Sequence, residues 1–274
     1  LIDAAHDINV ISKNARMAKQ AGIEEFVVAL SYSISPVHTD DYYREKTRAI
    51  VACPDVDTVY LKDQGGLLTP DRVKTLVPII RENLNGKPLE IHTHCSAGLG
   101  PEVYSEAVRQ GIHILHTAIP PLADGTSQPS IFEMMEKIGD LGYMNRMDKK
   151  ALKTASEKLY RIAEKEGREP GKPVNYDPAY YEHQVPGGMV STLKRQLAEG
   201  GMAHRLPEVM AEIKQVREEL GYPIMVTPLS QFVATQASMN VISGKRYKMV
   251  PDGVIQYVLG YFGDPPAPVD PEVL

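Results

Sequence analysis

Only two cysteines, Cys53 and Cys95, occur in 274 residues. That is too few for a disulfide framework and fits a reducing compartment. Basic charge is not in excess either: 30 Lys and Arg against 35 Asp and Glu leave a net charge of -5, which gives no reason to expect nucleic acid or an anionic membrane as a partner. No apolar run approaches the ~20 residues needed to span a bilayer, and no signal-peptide pattern opens the sequence, so the expected location is cytoplasmic. No glycine-rich phosphate fingerprint follows a predicted strand, so a dinucleotide fold lacks its sequence mark. What remains is an ordinary globular composition, 43% apolar and 24% charged, at a length that suits one large domain or two modest ones.

Over the first half, short β-rich runs alternate with helical patterns. Strands are predicted over residues 25–32, 58–63, 89–93 and 112–119, with the stump of another at Leu1-Ile2. Helices are predicted over residues 7–21, over 40–52 behind Thr39 as N-cap, and over 101–111 and 129–138. One more follows Thr69, with Pro70 at its first position and Val73, Leu76, Val77 and Ile80 at helical spacing. A strand–helix repeat of about 30 residues implies parallel strands with right-handed crossovers. The residues with chemistry to offer, Ser31-Tyr32-Ser33, Lys62-Asp63, His92, His94 and Thr117, fall at the C-terminal ends of strands, where TIM barrels and open α/β sheets bind ligands. Four units and a stump are too few to close an eight-stranded barrel, so residues 1–145 are expected to be the C-terminal part of one, cut from something longer. Residues 146–274 change character: helices are predicted over 149–166, 191–198, 207–220 and 228–241, with an irregular stretch over 167–181 and a Pro/Ala linker from Asp264 onward.

His92-Thr93-His94 closes the apolar run Pro88-Leu89-Glu90-Ile91. Residues two apart on a strand point the same way, so two imidazoles aim at one point where a divalent metal could be held. Alone, the pattern equally fits two half-exposed strand-end histidines. Lys62, beside Asp63 and before Gly65-Gly66, reads either as a turn lysine or as a buried amine that carbamylation by CO2 would convert into an anionic oxygen ligand. Pro186-Gly187-Gly188 is either a tight turn or a place where backbone approaches a ligand and sets Ser191 at a helix N-terminus. Thr126-Ser127-Gln128 reads as a helix cap, and His6, His38, His113, His116 and His204 have no spacing that suggests ligation.

Several of these segments together resemble a known family. Leu61-Lys-Asp-Gln-Gly-Gly-Leu-Leu-Thr-Pro, Ile91-His-Thr-His-Cys-Ser-Ala-Gly, Asp124-Gly-Thr-Ser-Gln-Pro-Ser and His183-Gln-Val-Pro-Gly-Gly-Met are similar to the biotin-dependent carboxyltransferase domain. Pyruvate carboxylase, the α subunit of oxaloacetate decarboxylase and the large subunit of transcarboxylase share that domain. Thr227-Pro-Leu-Ser-Gln and Tyr261-Phe-Gly-Asp-Pro-Pro-Ala-Pro-Val resemble its C-terminal part, so the likeness spans the chain.

The resemblance implies a TIM barrel under a helical funnel and a divalent metal (zinc, cobalt or manganese) held by an aspartate, a carbamylated lysine and two histidines. Lys62, His92 and His94 match the lysine and histidines, and Lys62 and Ser191 match catalytic positions, Ser191 the hydroxyl that shuttles a proton between biotin and pyruvate. Asp3, Gly187 and Gly188 match substrate-binding positions. Departures are the missing first-strand R-D motif that supplies the metal's aspartate, and Cys95 where Asp or Asn is frequent. No Ala-Met-Lys-Met motif is present, so biotin is expected on another domain or chain. The implied reaction moves a carboxyl group between carboxybiotin and pyruvate or oxaloacetate. The implied partners are a biotin carboxyl carrier domain, a biotin carboxylase or membrane decarboxylase subunits, and further copies of the chain. Two alternatives are another metal-dependent aldol- or Claisen-type barrel enzyme and a non-catalytic fragment; the isolated segment is expected to be inactive.

Overall fold

The computed structural model describes residues 1–274. Four parallel strands, β1 (Val27–Ser31), β2 (Thr58–Asp63), β3 (Leu89–Thr93) and β4 (Ile114–Leu115), lie side by side in sequence order. Leu1 extends the sheet past β1: its nitrogen donates to Val27 O at 2.6 Å and its carbonyl accepts from Ala29 N at 2.9 Å, the pattern of a parallel neighbour.

Five helices accompany the strands: α1 (Ile8–Gln20), α2 (Asp40–Ala52), α3 (Pro70–Glu82), α4 (Gly100–Arg109) and α5 (Ile131–Asp140). Each packs on the next, so all five cover one face. Their starts follow local chemistry. Thr39 accepts from Tyr42 N, Thr69 accepts from Arg72 N ahead of Pro70, and Asp7 accepts from Asn9 N. Val28, Leu30, Val59, Leu61, Leu89 and Ile91 point into this helical layer and form the first core with Val73, Leu76, Val77 and Ile80. The alternate residues, Ser31, Tyr60, Lys62, Glu90 and His92, therefore share the opposite face, as the period of two requires.

The fourth strand is shorter than the 112–119 read from sequence. Ile112 N is still bonded to Ala107 O at the end of α4, and after His116 the chain turns away to pair Ala118 with Pro129 and Ile131. The next helix consequently starts at Ile131 rather than 129.

The second half comprises α6 (Lys149–Lys165), α7 (Ala179–His183), α8 (Gly187–Glu199), α9 (Leu206–Glu219), α10 (Leu229–Ser243) and α11 (Asp252–Val258). A second core of Val185, Leu193, Val209, Ile213, Val216, Val233, Ala237 and Tyr257 holds α8 to α11 together. It is fastened to the sheet at the end of β1. Gln184 brackets Ile34, accepting its N–H at 3.0 Å and donating to its carbonyl at 2.7 Å, and the buried Arg217 donates to Ser33 Oγ at 2.9 Å and Ile34 O at 3.1 Å. The Pro- and Ala-rich end is docked rather than a free linker: Ala267 N donates to Gly221 O, Asp270 N to Glu219 O, and Val269 joins the second core. No helix is long and apolar enough to cross a membrane.

Candidate active site

Register brings the site together. Ser31 pairs with Lys62 and Lys62 with His92; one residue past the Ile91–Leu115 pair, His92 falls beside His116. These four residues make one row across the C-terminal ends of all four strands, on the face away from the helices.

His92 and His94 converge, with Nε2 atoms 3.1 Å apart. The Gln128 amide nitrogen lies 3.0 Å from His94 Nε2 and 3.3 Å from His92 Nε2. An amide nitrogen only donates, so Gln128 offers its donor to the same small space that both imidazole Nε2 atoms face. His94 Nδ1 donates to the Thr126 carbonyl at 2.7 Å, which leaves its Nε2 unprotonated. Burial, with Lys62 nearby, pushes His92 down to about 3 and holds His94 below its ordinary range, so both rings are neutral at physiological pH. Lys62 is itself buried, its Nζ 5.9 Å from the centre of the Tyr60 ring, and burial lowers its pKa despite the adjacent Asp63.

Asp63 points the other way, into the helical layer, and organises the turn that follows. Its carboxylate accepts from Leu67 N and Leu68 N at 2.8 Å each and from Thr93 Oγ1 at 2.6 Å. Gly66, at φ +69°, lets that turn pass under β3: a Cβ there would lie 2.7 Å from the His94 carbonyl oxygen.

The α8 end of the site differs from the sequence reading. Gly187 and Gly188 form the first turn of α8 rather than a turn before it, and Ser191 lies one turn in, donating to Gly187 O at 3.2 Å rather than sitting at the free N-terminus. Pro186 as N-cap explains the earlier start. Gly187 is pressed against the loop that orients His94, where a Cβ would stand 2.6 Å from Thr126 Cγ2 and 2.8 Å from Ser96 Oγ, whereas Gly188 faces open space. Ser191 is exposed and no hydrogen bond joins it to the imidazoles. Asp3 lies beyond β1, its carboxylate accepting from Ala5 N at 3.2 Å and Asp7 N at 2.7 Å, so within the chain it closes a turn.

Sequence reasoning missed His116, Glu90 and Gln128. His116 Nδ1 is 3.3 Å from His92 Nδ1, and its Nε2 is 2.8 Å from Glu90 Oε2. The signal for His116 was its place at the fourth strand end, visible only once register is known. No third His, Cys, Asp or Glu joins His92 and His94 in a cluster able to hold a metal. Ser31 Oγ, Gln64 Oε1 and Ser96 Oγ are buried without a partner.

Residues 180–274 match the family model of the conserved carboxylase domain. The whole chain aligns with a pyruvate carboxylase subunit of Methanocaldococcus jannaschii at 37% identity, covering 48% of that protein. It also aligns over its whole length with the 2-oxoglutarate carboxylase large subunit of Hydrogenobacter thermophilus at 31%, covering 42%, and with the methylmalonyl-CoA carboxyltransferase 5S subunit of Propionibacterium freudenreichii at 30%, covering 54%. The chain thus spans about half the length of the curated relatives it matches. In fold it superposes on the carboxyl transferase domain of Rhizobium etli pyruvate carboxylase with a TM-score of 0.88 at 21% identity, over 99% of this chain and 48% of that one. The sequence motifs and these relatives agree: along its whole length the chain is similar to pyruvate carboxylase and carboxyltransferase subunits, and its residues 180–274 match the conserved carboxylase domain.

Proposed function

We propose that the protein transfers a carboxyl group between carboxybiotin and pyruvate or oxaloacetate, at a metal centre held by Lys62, His92 and His94. On this reading the sheet is an arc of a (β/α)8 barrel spanning residues 1–145, and α8 to α11 belong to a funnel over its mouth. The observation that carries the proposal is the pair of imidazole Nε2 atoms 3.1 Å apart beside a buried lysine. Two nitrogens each bound at 2.0–2.1 Å to a tetrahedral ion stand about 3.3 Å apart, so the donor set fits zinc, and cobalt or manganese with small adjustment. The Thr126 carbonyl behind His94 is the kind of outer partner that fixes a ligand's tautomer. Lys62 completes the set as its carbamate: the amine must be unprotonated to attack CO2, and burial favours that form.

A bound divalent ion would supply a Lewis acid that stabilises oxyanion charge on the enolate of pyruvate. The chain's own groups do the rest. Ser31, Gln64 and Ser96 offer unpartnered polar atoms to a small polar substrate, Gly188 leaves backbone open to it, and Gly187 lets α8 close against the Thr126 loop beside it. In the transfer, the N–CO2 bond of carboxybiotin breaks and the Ser191 hydroxyl gives its proton to the urea nitrogen. The hydroxyl then takes a proton from the pyruvate methyl, whose carbon forms the new bond to CO2. Biotin would be carried on another domain or chain, with a biotin carboxylase or a membrane decarboxylase as partner. Pyruvate is favoured over 2-oxoglutarate as acceptor because the pyruvate carboxylase subunits are the more similar relatives.

The test is oxaloacetate formation from pyruvate and a carboxylated biotin carrier. Ser191→Ala in the protein should lower the rate about 10²–10⁴-fold, the usual loss for an acid–base group, with metal content unchanged. Near-normal turnover of Ser191→Ala would remove that role. Inertness of the wild-type protein toward every biotin-borne carboxyl donor would remove the proposal.

A further inference from the structure

We propose that the chain carries a second ligand site, for a small organic phosphate monoester, at the end of the sheet opposite His92 and His94. It is a cleft of about 460 Å³ between the loop after α3 and the end of α4, at the starts of β3 and β4. That size lies within the range of about 300–1,000 Å³ usual for small-molecule sites.

Every ionisable side chain lining the cleft is basic: Arg81, Lys87 and His113. The chain as a whole is acidic, with 35 Asp and Glu against 30 Lys and Arg. None of the three is ion-paired, and carbonyls hold two of them instead. Arg81 Nη1 donates to Gln110 O at 2.6 Å, and Lys87 Nζ donates to Cys53 O at 3.1 Å and to Val56 O. Gln110 and Cys53 are the C-caps of α4 and α2, so each cation also answers a helix dipole. Capping fixes the two groups in place without cancelling their charge: a helix end carries about half a negative charge against the full positive one on its cap. The bond to Gln110 uses a single guanidinium N–H and leaves the rest free.

The backbone serves the same end. Gly111, at φ +84°, lets the guanidinium lie directly on the main chain, where a Cβ would stand 2.6 Å from Arg81 Nη1 and 3.1 Å from Cζ. Gly86, at φ +81°, has open space where a Cβ would be, and its N–H makes no hydrogen bond within the chain. A fixed guanidinium, an ammonium and a free backbone N–H are donors for phosphate oxygens, and the guanidinium can take two of them at once. Beside them Leu84 and Ile114 give the cleft an apolar wall, Ile114 being 46% exposed. Cations and apolar surface in one cleft of this size match a phosphate joined to an organic group rather than a bare ion.

The experiment titrates the nitrogen-15-labelled protein, at constant ionic strength, with phenyl phosphate, inorganic phosphate and benzoate. Amide shifts locate and measure binding without reference to turnover, so the result stands apart from the carboxyltransferase reading. Phenyl phosphate should move the amides of Gly86, Lys87, Gly111 and His113, and should bind more tightly than the two probes that lack its ring or its phosphate. Arg81→Gln should weaken it about 10–100-fold, the loss that accompanies charge-assisted hydrogen bonds, and Lys87→Gln should weaken it too. Lys158→Gln, on α6 and outside the cleft, should change nothing. Shifts no larger at those four amides than elsewhere overturn the proposal, and this reading needs no variant to fold. Affinity unchanged in both Arg81→Gln and Lys87→Gln, or lowered as much in Lys158→Gln, overturns it as well. Benzoate binding as tightly removes the phosphate assignment, and inorganic phosphate binding as tightly reduces the site to an adventitious ion only.

Discussion

Replacing Asp63 with asparagine should destabilise the protein more than almost any other one-atom change. The carboxylate is fully buried and takes three donors: Leu67 N, Leu68 N and Thr93 Oγ1. Asparagine keeps one acceptor oxygen and puts a donor where the other stood, so at least one backbone N–H of the turn faces an amide N–H. An unsatisfied buried donor costs about 1–3 kcal/mol, and the surviving bonds lose charge assistance worth about 1 kcal/mol each. Against this, burial raises the Asp63 pKa, so its charge is held at some expense and a neutral group recovers part of the loss. The net expectation is about 2–4 kcal/mol, or a fall in Tm of roughly 5–15 °C for a domain of this size. Thermal unfolding followed by circular dichroism at pH 7 measures it, with Thr93→Val as a companion that removes one donor and costs about 1 kcal/mol. An Asp63→Asn protein melting with the wild type would refute the account of how the turn after Lys62 is held.

Gly66→Ala should cost about 2–5 kcal/mol, adding the left-handed backbone of a non-glycine residue to the clash with the His94 carbonyl; a urea midpoint equal to the wild type would contradict this. His6 and His38, buried and pushed down to about 3, stay neutral in the fold but take protons near 6.5 when unfolded. Their contribution is complete above pH 6.5 and is lost as pH falls toward 3, about 2 kcal/mol per imidazole by pH 5. A urea midpoint unchanged between pH 7 and pH 5 would refute it.

Elements with strong local chemistry were legible in the sequence. Helix α3 starts behind Thr69 and buries the four apolar residues its spacing marks, and β3 ends at Thr93 as the apolar run indicates. Local signals failed where distant neighbours decide. Ile112 looks like strand but finishes the turn after α4, and Pro186-Gly187-Gly188 looks like a turn but opens α8, because a helix must approach Thr126 with no Cβ between them. The terminal Pro-rich residues have a linker's composition and are docked by Gly221 and Glu219. His92 and His94 could be paired from the period of a strand, since they share one. His116 and Glu90 could not, because their meeting depends on the β3–β4 register, which no periodicity within either strand encodes.

X-ray absorption at the metal edge of the protein as purified tests the central claim most directly. The account predicts one divalent ion per chain with two imidazole nitrogens in its first shell at about 2.0–2.1 Å if the ion is zinc, and loss of that imidazole scattering in the protein carrying His92→Ala and His94→Ala. A wild-type protein that holds no stoichiometric ion, or an ion whose first shell is unchanged in the double variant, would contradict it.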